Sequence, residues 1–215
     1  MELSSTPRTE LRRHRERGQS ERDALYAVLD AGLICHLGVT AGGAPRVLPT
    51  GYGRLDDTLY LHGSSANATF MAADGQQVCV EVTHLDGLVY ARSVFNHSMN
   101  YRSAMVFGVA SMVIDPDERL LALRTITEHL TPGQWSYARQ PTRKELAATS
   151  VLSLPLTEAS VKIRTGDPVD EPEDVETGLW AGVVPVETSF APPVSSAELP
   201  PGAAPPAHVV KRDGG

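Results

Sequence analysis

The stretch LICHLGVTAGGAPRVLPTGYGRLDDTLYLHG, which runs from Leu33 to Gly63, contains three apolar runs separated by two short turns. The first turn is the segment 41–45, rich in glycine and closed by proline, and the second contains the two aspartates 56–57. Strands that lie so close in sequence and are joined by tight turns pair in the antiparallel sense. This stretch therefore predicts an antiparallel sheet.

Further strands and helices are predicted on either side of this sheet. Strand-like runs occur in QQVCVEVTHLDGLVYA, SAMVFGVASMVI, VLSLPLTEASVKIR and LWAGVVPVETSF. Helices are predicted after the candidate N-cap Ser20, with Leu25, Val28, Leu29 and Leu33 on one face, from Asn67 to Ala73, in DPDERLLALRTITEHLTPGQW and in TRKELAATSVL. Because strand, helix and parallel strand do not alternate, we predict a mainly β protein with helices, a six-stranded antiparallel β-barrel.

The length of 215 residues suits one domain with a substantial core. Residues 1–18 are polar and are predicted to form an N-terminal arm, followed by the barrel domain over 19–190. Residues 191–215 are rich in proline and alanine. They carry too few apolar side chains to offset the entropy of ordering, so we expect a disordered or extended tail.

Charge and composition exclude several classes of protein. A net charge of -7 argues against a general nucleic-acid binder, whose affinity comes from neutralised phosphates. No run approaches the roughly 20 apolar residues of a membrane span, and the N-terminus has no apolar signal segment. Cys35 and Cys79, the only two cysteines, are expected to be buried thiols in the reducing cytoplasm. The scattered histidines predict no metal site.

The junction after the third run carries the first candidate site. His62 and Gly63 end a strand, and Ser64, Ser65 and Asn67 precede a predicted helix. A helix N-terminus with hydroxyl and amide donors is suited to a phosphate, and a glycine allows a ligand close to the backbone. The alternative is that one of these side chains only caps the helix.

Three other stretches carry polar or planar groups suited to a ligand. The first of these contains Arg46, Val47, Leu48, Pro49 and Thr50. The arginine either clamps a phosphate or lies exposed at an edge, and Pro49 indicates an edge, a bulge or a place where a ligand replaces the neighbouring strand. His97, Arg102 and Ser103 precede an apolar strand; His97 is either a proton donor or a structural residue. Trp180 either stacks on a planar ring or packs in the core. Without a dinucleotide fingerprint, Walker loop or nucleophile elbow, a phosphate-bearing planar ligand is the remaining candidate.

Taken in order, these pieces resemble the pyridoxamine 5'-phosphate oxidase-like flavin proteins, and more closely the branch of flavin-nucleotide-binding proteins related to nitroimidazole reductases. The segments that carry the resemblance are GxPRVLPTGYG, LYLHGS, NYRSAMVFG, PTRKELAAT, SVKIRTG and LWAGVVP, within residues 14–190. The resemblance implies the FMN-binding split barrel, a homodimer and an FMN in each of two clefts at the interface.

The resemblance also implies roles for residues. The backbone of Arg46–Thr50 would lie along the flavin ring, and His62–Asn67 would hold its phosphate, helped by Arg46. Ser103 and Arg102 would face the flavin, and Trp180 would reach the flavin of the partner. His62 matches a histidine near the flavin and is a candidate reactive residue. The segment SSANATF lacks the cation of many relatives, and VVPVET lacks the arginine that binds pyridoxal, so pyridoxamine phosphate is not the expected substrate.

Two functions follow as hypotheses. The first is an FMN-dependent oxidoreductase that passes hydride or electrons, from a reduced nicotinamide or a substrate, to a small organic acceptor, as nitroreductases do, with His62 or His97 as proton donor. The second is a non-enzymatic carrier or sensor that binds a flavin, a deazaflavin or haem on the same barrel. A haem would take His62 or His97 as axial ligand.

Overall fold

A computed structural model describes residues 2–4, 6–200 and 202–214. Its strands are β1 (Gly18–Gln19), β2 (Ile34–Ala41), β3 (Ala44–Leu55), β4 (Thr58–Ser64), β5 (Gln77–Tyr90), β6 (Ser98–Val109), β7 (Ser111–Met112), β8 (Thr149–Pro155), β9 (Glu158–Arg164) and β10 (Gly182–Pro185). Its α-helices are α1 (Arg22–Ala31), α2 (Ala68–Met71), α3 (Pro116–Leu130), α4 (Gln134–Tyr137), α5 (Arg143–Ala148), α6 (Pro172–Glu176) and α7 (Ala207–Val210).

The strands of the described chain form one sheet in the order β1-β9-β6-β5-β2-β3-β4-β8-β7, with β10 paired to β5. Every strand pairing is antiparallel, which confirms the predicted class of fold. The sheet has more strands than the six expected, because β1 is added and the runs SAMVFGVASMVI and VLSLPLTEASVKIR each form two strands instead of one, whereas β10 lies in the predicted run LWAGVVPVETSF. The two strands of VLSLPLTEASVKIR, β8 and β9, pair with β4 and β6 respectively.

Strand β3 changes partner along its length, and this divides the barrel. Its first part, Ala44–Gly51, pairs with β2, and its last part, Tyr52–Leu55, pairs with β4. Beyond Leu61, β4 continues alongside β8 alone. The edges of β3 and β4 therefore separate at Gly51 and His62, which leaves backbone groups of β3 without a strand partner in the described chain.

Helix α1 closes one end of the barrel with Leu25, Val28 and Leu29, which are fully buried. The helix begins at Arg22 with Glu21 as N-cap, so the expected cap at Ser20 is wrong. The Ser20 carbonyl instead accepts a hydrogen bond from the backbone of Leu3. Leu33 lies outside the helix because the chain turns at Gly32, where φ and ψ are extended. The carbonyls at the end of α1 accept hydrogen bonds from the side chains of Tyr52, His84 and His129.

Helix α3 packs on the outside of β3, where two glycines let it approach closely. A Cβ at Gly53 would lie 2.8 Å from the backbone of Ile126, and one at Gly51 would lie 2.7 Å from Leu130 Cδ1. Ile126 belongs to a second small core, together with Tyr60 and Val151, on the face of β4 and β8 that points away from the barrel. The sheet thus has an apolar layer on both faces at β4.

The terminal segments contact the barrel. Arg8 of the N-terminal arm pairs with Glu158 and donates to Gln77 at 2.7 Å. In the tail, residues 191–206 contain no helix or strand within the described part, and α7 then packs near α4, where His208 Nε2 lies 3.0 Å from Gln134 Oε1. The described helices are all too short to cross a bilayer, since α3, the longest, has 15 residues.

Candidate functional site

A cavity of about 450 Å³ lies between the end of β4 and helices α3, α4 and α5. Its lining is partly apolar and aromatic on the inside and charged at the rim. The residues that line it are His62, Leu123, Thr127, Gln134, Trp135, Ala138, Arg139, Gln140, Pro141, Glu145, Leu146 and Thr149. Pockets of this size and character are typical of small-molecule and cofactor sites.

His62 faces this cavity because of its position in β4. Side chains alternate between the two faces of a strand. Leu59 and Leu61 are fully buried in the barrel core, so Tyr60 and His62 point to the opposite face, where α3 packs. Gly63 follows, and a Cβ there would lie 2.8 Å from the Phe70 ring. Strand β4 therefore presents the His62 imidazole to the face of the sheet on which α3 packs.

The imidazole of His62 has an unusual environment. Its Nδ1 is buried and has no hydrogen-bond partner within the described residues. Burial lowers the pKa of this histidine, and a backbone interaction with Gly51 only partly opposes the shift. The Thr50 hydroxyl donates to the His62 carbonyl oxygen at 3.1 Å across the gap between β3 and β4. A neutral imidazole with an unpaired nitrogen is suited to bind a metal centre or to exchange a proton.

The free edge of β3 forms a second candidate surface. Arg46, Val47 and Pro49 are exposed, while Leu48 and Thr50 are half-buried. Pro49 lies opposite His36 of β2, in the part of β3 that has no second strand partner in the described chain. This agrees with the interpretation of Pro49 as an edge residue. Arg46 has no ion pair within the described residues and is free to meet a ligand.

At the junction after β4, the polar side chains satisfy the local backbone. Asn67 caps α2 by accepting hydrogen bonds from the backbones of Thr69 and Phe70, each at 3.1 Å. The Ser64 hydroxyl accepts from Ala66 N at 3.2 Å, and Ser65 N donates to a backbone carbonyl of α5. The helix is shorter than the predicted Asn67–Ala73, since it spans four residues. The capping alternative thus accounts for Asn67, and a phosphate at this junction stays a prediction.

Arg102 and Ser103 lie on opposite faces of β6. Arg102 is on the side of the buried Ala104, where it forms two hydrogen bonds of 2.9 and 2.8 Å with Asp86 and holds the pKa of that carboxyl below its usual value. Ser103 is on the outer face beside the exposed Met105. The two residues therefore do not face one common pocket within this chain, and neither lines the His62 cavity.

His97 and Trp180 belong to a separate aromatic cluster. Tyr90 lies between them, with its ring centroid 5.8 Å from His97 and 6.0 Å from Trp180. His97 Nδ1 is 3.0 Å from the Ser93 carbonyl, and the Trp180 side chain is 69% exposed. Neither residue lines the His62 cavity. The predicted site residues therefore fall into several places on one chain, and the exposed indole does not belong to the core.

The helices contribute residues that the sequence analysis did not include. Trp135, Arg139, Gln140, Glu145 and Leu146 all line the cavity. Thr142 and Glu145 form a capping box at the start of α5, a signal that is visible in the sequence as TRKE. That signal predicts a helix start at Thr142, and only the packing of α5 against β8 shows that Glu145 and His62 line one cavity. In the described part of the chain, no cluster of three metal-ligating side chains exists.

An antiparallel split barrel with a ligand-sized cavity beside its divided edge is the fold of the pyridoxamine 5'-phosphate oxidase group. The chain belongs to the pyridoxamine 5'-phosphate oxidase family, whose model matches residues 21–163. This confirms the resemblance predicted from the sequence. No curated protein matches the chain.

Two solved structures are similar over a larger part of the chain than the family model. The chain is 38% identical to the flavocytochrome Anf3 from Azotobacter vinelandii, with a TM-score of 0.91 and 96% of each chain covered. It is 35% identical to an FAD- and haem-binding protein from Mycobacterium smegmatis, with a TM-score of 0.88, covering 92% of this chain and 97% of that one. A putative 5-nitroimidazole antibiotic resistance protein from Bacteroides thetaiotaomicron, at 22% identity and TM-score 0.59, covers 68% and 86% and shares the fold.

Proposed function

We propose that this protein is a flavin-dependent oxidoreductase that also binds haem. The observation that carries the proposal is the His62 imidazole, whose buried Nδ1 is unpaired within the described residues and whose ring borders the cavity. Two relatives similar over nearly their whole length support it, since one is a flavocytochrome and the other binds FAD and haem. A chain that binds both a flavin and haem would combine the two hypotheses drawn from the sequence, the flavin-dependent oxidoreductase and the haem-binding protein.

The cavity residues fit a haem. Iron in haem takes axial ligands such as histidine, cysteine, methionine or tyrosine, and His62 is the one such residue among those that line the cavity. Leu123, Trp135 and Leu146 supply apolar and aromatic surface for a flat macrocycle. His97 lies in the aromatic cluster with Tyr90. Of the two histidines predicted as haem ligands, we therefore assign His62.

The flavin would occupy the free edge of β3. Backbone groups of Arg46–Thr50 without a strand partner would bind the ring, and the exposed guanidinium of Arg46 would pair with a phosphate. The sequence predicts FMN. The mycobacterial relative binds FAD, so we propose FAD, with FMN and a deazaflavin as the other outcomes. A flavin supplies hydride and single-electron chemistry, whereas the protein supplies binding and orientation.

We propose that the protein is a homodimer, with the outer face of β2, β3, β5 and β6 as its interface. Ile34, Val47 and Met105 are exposed on this face, at 58%, 65% and 40%. Ser103 lies beside Met105, so a second copy would bring it toward the flavin edge of its partner. Trp180, 69% exposed here, would likewise be covered by the partner's flavin.

In this proposal, a small organic molecule or a reduced nicotinamide exchanges electrons at the flavin. His62, kept neutral by burial, would hold the haem within the cavity. His97 stays a candidate proton donor at the exposed cluster. A cytoplasmic location remains part of the proposal, because Cys35, which is buried, and Cys79, which is half-buried, are both free thiols.

A non-enzymatic carrier is the second candidate function. The observation that favours it is the loss of cations from the phosphate site, since SSANATF contains none and Arg102 is paired with Asp86. A carrier would retain the cofactors without reduction by nicotinamides. Stopped-flow mixing with NADH or NADPH, followed at the flavin absorbance, distinguishes a carrier from the oxidoreductase.

The absorption spectrum of the freshly purified protein tests the proposal. We expect flavin bands together with a Soret band, and mass spectrometry of the heat-released material should identify FAD. His62→Ala should remove the Soret band and leave the flavin bands, whereas His97→Ala should keep both. A protein that takes up no haem after reconstitution, or a Soret band unchanged in His62→Ala, would refute the assignment.

A further inference from the structure

We propose that Arg139 binds the carboxylates of the ligand in the His62 cavity, and that Glu145 occupies this guanidinium before the ligand enters and competes with those carboxylates for it. The inference rests on the proposed haem site. It goes further by stating which side of the cavity receives the charged edge of the ligand. The ligand class would be a flat, apolar macrocycle with carboxylates along one edge.

The lining of the cavity changes character between its interior and its rim. His62, Leu123, Trp135 and Leu146 are half-buried, whereas Ala138, Arg139, Gln140 and Glu145 are exposed. All of the charged side chains in the lining therefore lie at the rim. A ligand with an apolar body and an anionic edge matches this arrangement, because its carboxylates stay near water while its ring is buried.

Arg139 is held at the rim by a bidentate ion pair. Its Nη1 donates to Glu145 Oε2 at 2.9 Å and its Nη2 donates to Glu145 Oε1 at 2.5 Å. Nη1 also lies 3.2 Å from the Gln140 carbonyl, and the Gln140 side chain donates to the Trp135 carbonyl at 2.8 Å. The Nε group makes no hydrogen bond to the described residues. The guanidinium is thus oriented and still has a donor for a further carboxylate.

Glu145 is fixed independently of Arg139. It accepts hydrogen bonds from Thr142 N at 2.7 Å and from the Thr142 hydroxyl at 3.0 Å in the capping box of α5. Hydrogen bonds from Arg139 and Thr142 lower the pKa of Glu145 to about 2, so the carboxylate is charged at neutral pH. It neutralises Arg139 in the free protein, and a ligand carboxylate has to share or displace it.

This competition predicts opposite effects for the two members of the pair. Arg139→Gln removes the cation that meets the ligand and should weaken binding. Glu145→Gln removes the competing anion while glutamine retains the capping box, so it should strengthen binding. Arg143→Gln, on the same helix but outside the cavity lining, is the matched control.

The test is a titration of apoprotein with ferric haem and with haem whose two propionates are methyl esters, followed at the Soret band. Wild type should bind haem about tenfold more tightly than the ester, the size of a charge-assisted hydrogen bond at a partly exposed site. Arg139→Gln should bind both equally, Glu145→Gln should increase the preference, and Arg143→Gln should match wild type.

The outcomes separate this inference from the proposed function. If wild type binds haem and Arg139→Gln keeps the full preference for free propionates, the inference is wrong and the haem site stands. If Arg143→Gln loses the preference as strongly as Arg139→Gln, the effect is general charge and the inference also fails. If wild type binds neither compound, the haem proposal is wrong, and the inference that rests on it is wrong as well.

Discussion

The hydroxyl of Thr50 donates to the carbonyl oxygen of His62 at 3.1 Å, across the line where β3 and β4 separate. No ladder hydrogen bond pairs these two strands at this point, since their register ends at Tyr52 and Leu61. A side chain from the candidate flavin edge thus fixes the backbone of the candidate haem ligand. The two proposed sites are connected through this one contact.

Replacing Thr50 tests this connection. Thr50→Val keeps the shape and removes the donor, so we expect a loss of about 1 kcal/mol in the free energy of unfolding, the usual value of a neutral hydrogen bond. Haem affinity should fall as His62 loses its support. Urea unfolding and a Soret titration measure the two effects. Thr40→Val, at an exposed position of β2, is the control and should change neither.

The close approach of α3 to β3 gives a second prediction. A Cβ at Gly53 would lie 2.8 Å from backbone atoms of Ile126, which cannot rotate away. Gly53→Ala should therefore destabilise the protein by about 1–3 kcal/mol, the cost of overpacking. Gly38→Ala on β2 is the control, because its nearest contact would be an ordinary 3.4 Å. Equal midpoints in urea for the two variants would contradict the packing of α3.

The environment of His62 predicts a pH dependence of the cofactor-free protein. Burial lowers its pKa from the ordinary 6.5 in the folded state, so the unfolded chain binds more protons as the pH falls through that value. Stability should then decrease from about pH 7.5 to pH 5, because protonation favours the unfolded state. His62→Gln should flatten this slope in urea unfolding. If the slope persists in His62→Gln and disappears in His97→Gln, then His97 and not His62 causes the pH dependence, and the prediction is wrong.

The proposed dimer interface can be tested at Met105. This side chain is 40% exposed on the outer face of β6. Met105→Arg should give a monomer in sedimentation and release flavin, because a buried unpaired charge is costly and the cleft needs both copies. Met71→Arg is the control, since Met71 lies on α2 with 38% exposure. A Met105→Arg dimer that retains flavin would place the interface elsewhere.

The tail offers a fifth test. Val209 N donates to the Pro206 carbonyl at 2.9 Å, and His208 packs against Gly133 and Gln134. In hydrogen exchange, we expect 191–200 to exchange quickly, as the sequence predicts, and the α7 amides to be slower. His208→Ala should remove the protection of α7. Slow exchange throughout 191–200 would contradict the predicted disorder.

Much of the fold follows from local patterns. The turns at Gly42-Gly43 and Asp56-Asp57 require antiparallel hairpins, and both glycines have positive φ. Helices α3 and α5 begin after the N-caps Asp115 and Thr142, within the two segments in which the sequence predicts helices. The N-cap of α1 was misplaced by one residue, because Ser20 uses its backbone in the pairing of the N-terminal arm.

The candidate site was less predictable. Arg102 and Ser103 are adjacent in sequence, yet strand alternation sends them to opposite faces, and Asp86 takes the arginine. The wall formed by Trp135, Arg139 and Glu145 was not predicted, because nothing in their local sequence specifies that α4 and α5 pack beside β4.

By itself, the sequence determined the antiparallel class of the fold, the strand that carries His62 and the segments that form α1, α3 and α5, because turns, alternation and caps depend on neighbouring residues. Only the tertiary structure decided that β3 changes partner at Gly51 and that His62 faces α3 instead of the barrel core. Those outcomes depend on which distant apolar faces bury one another, and in particular on two glycines that let a helix lie against β3.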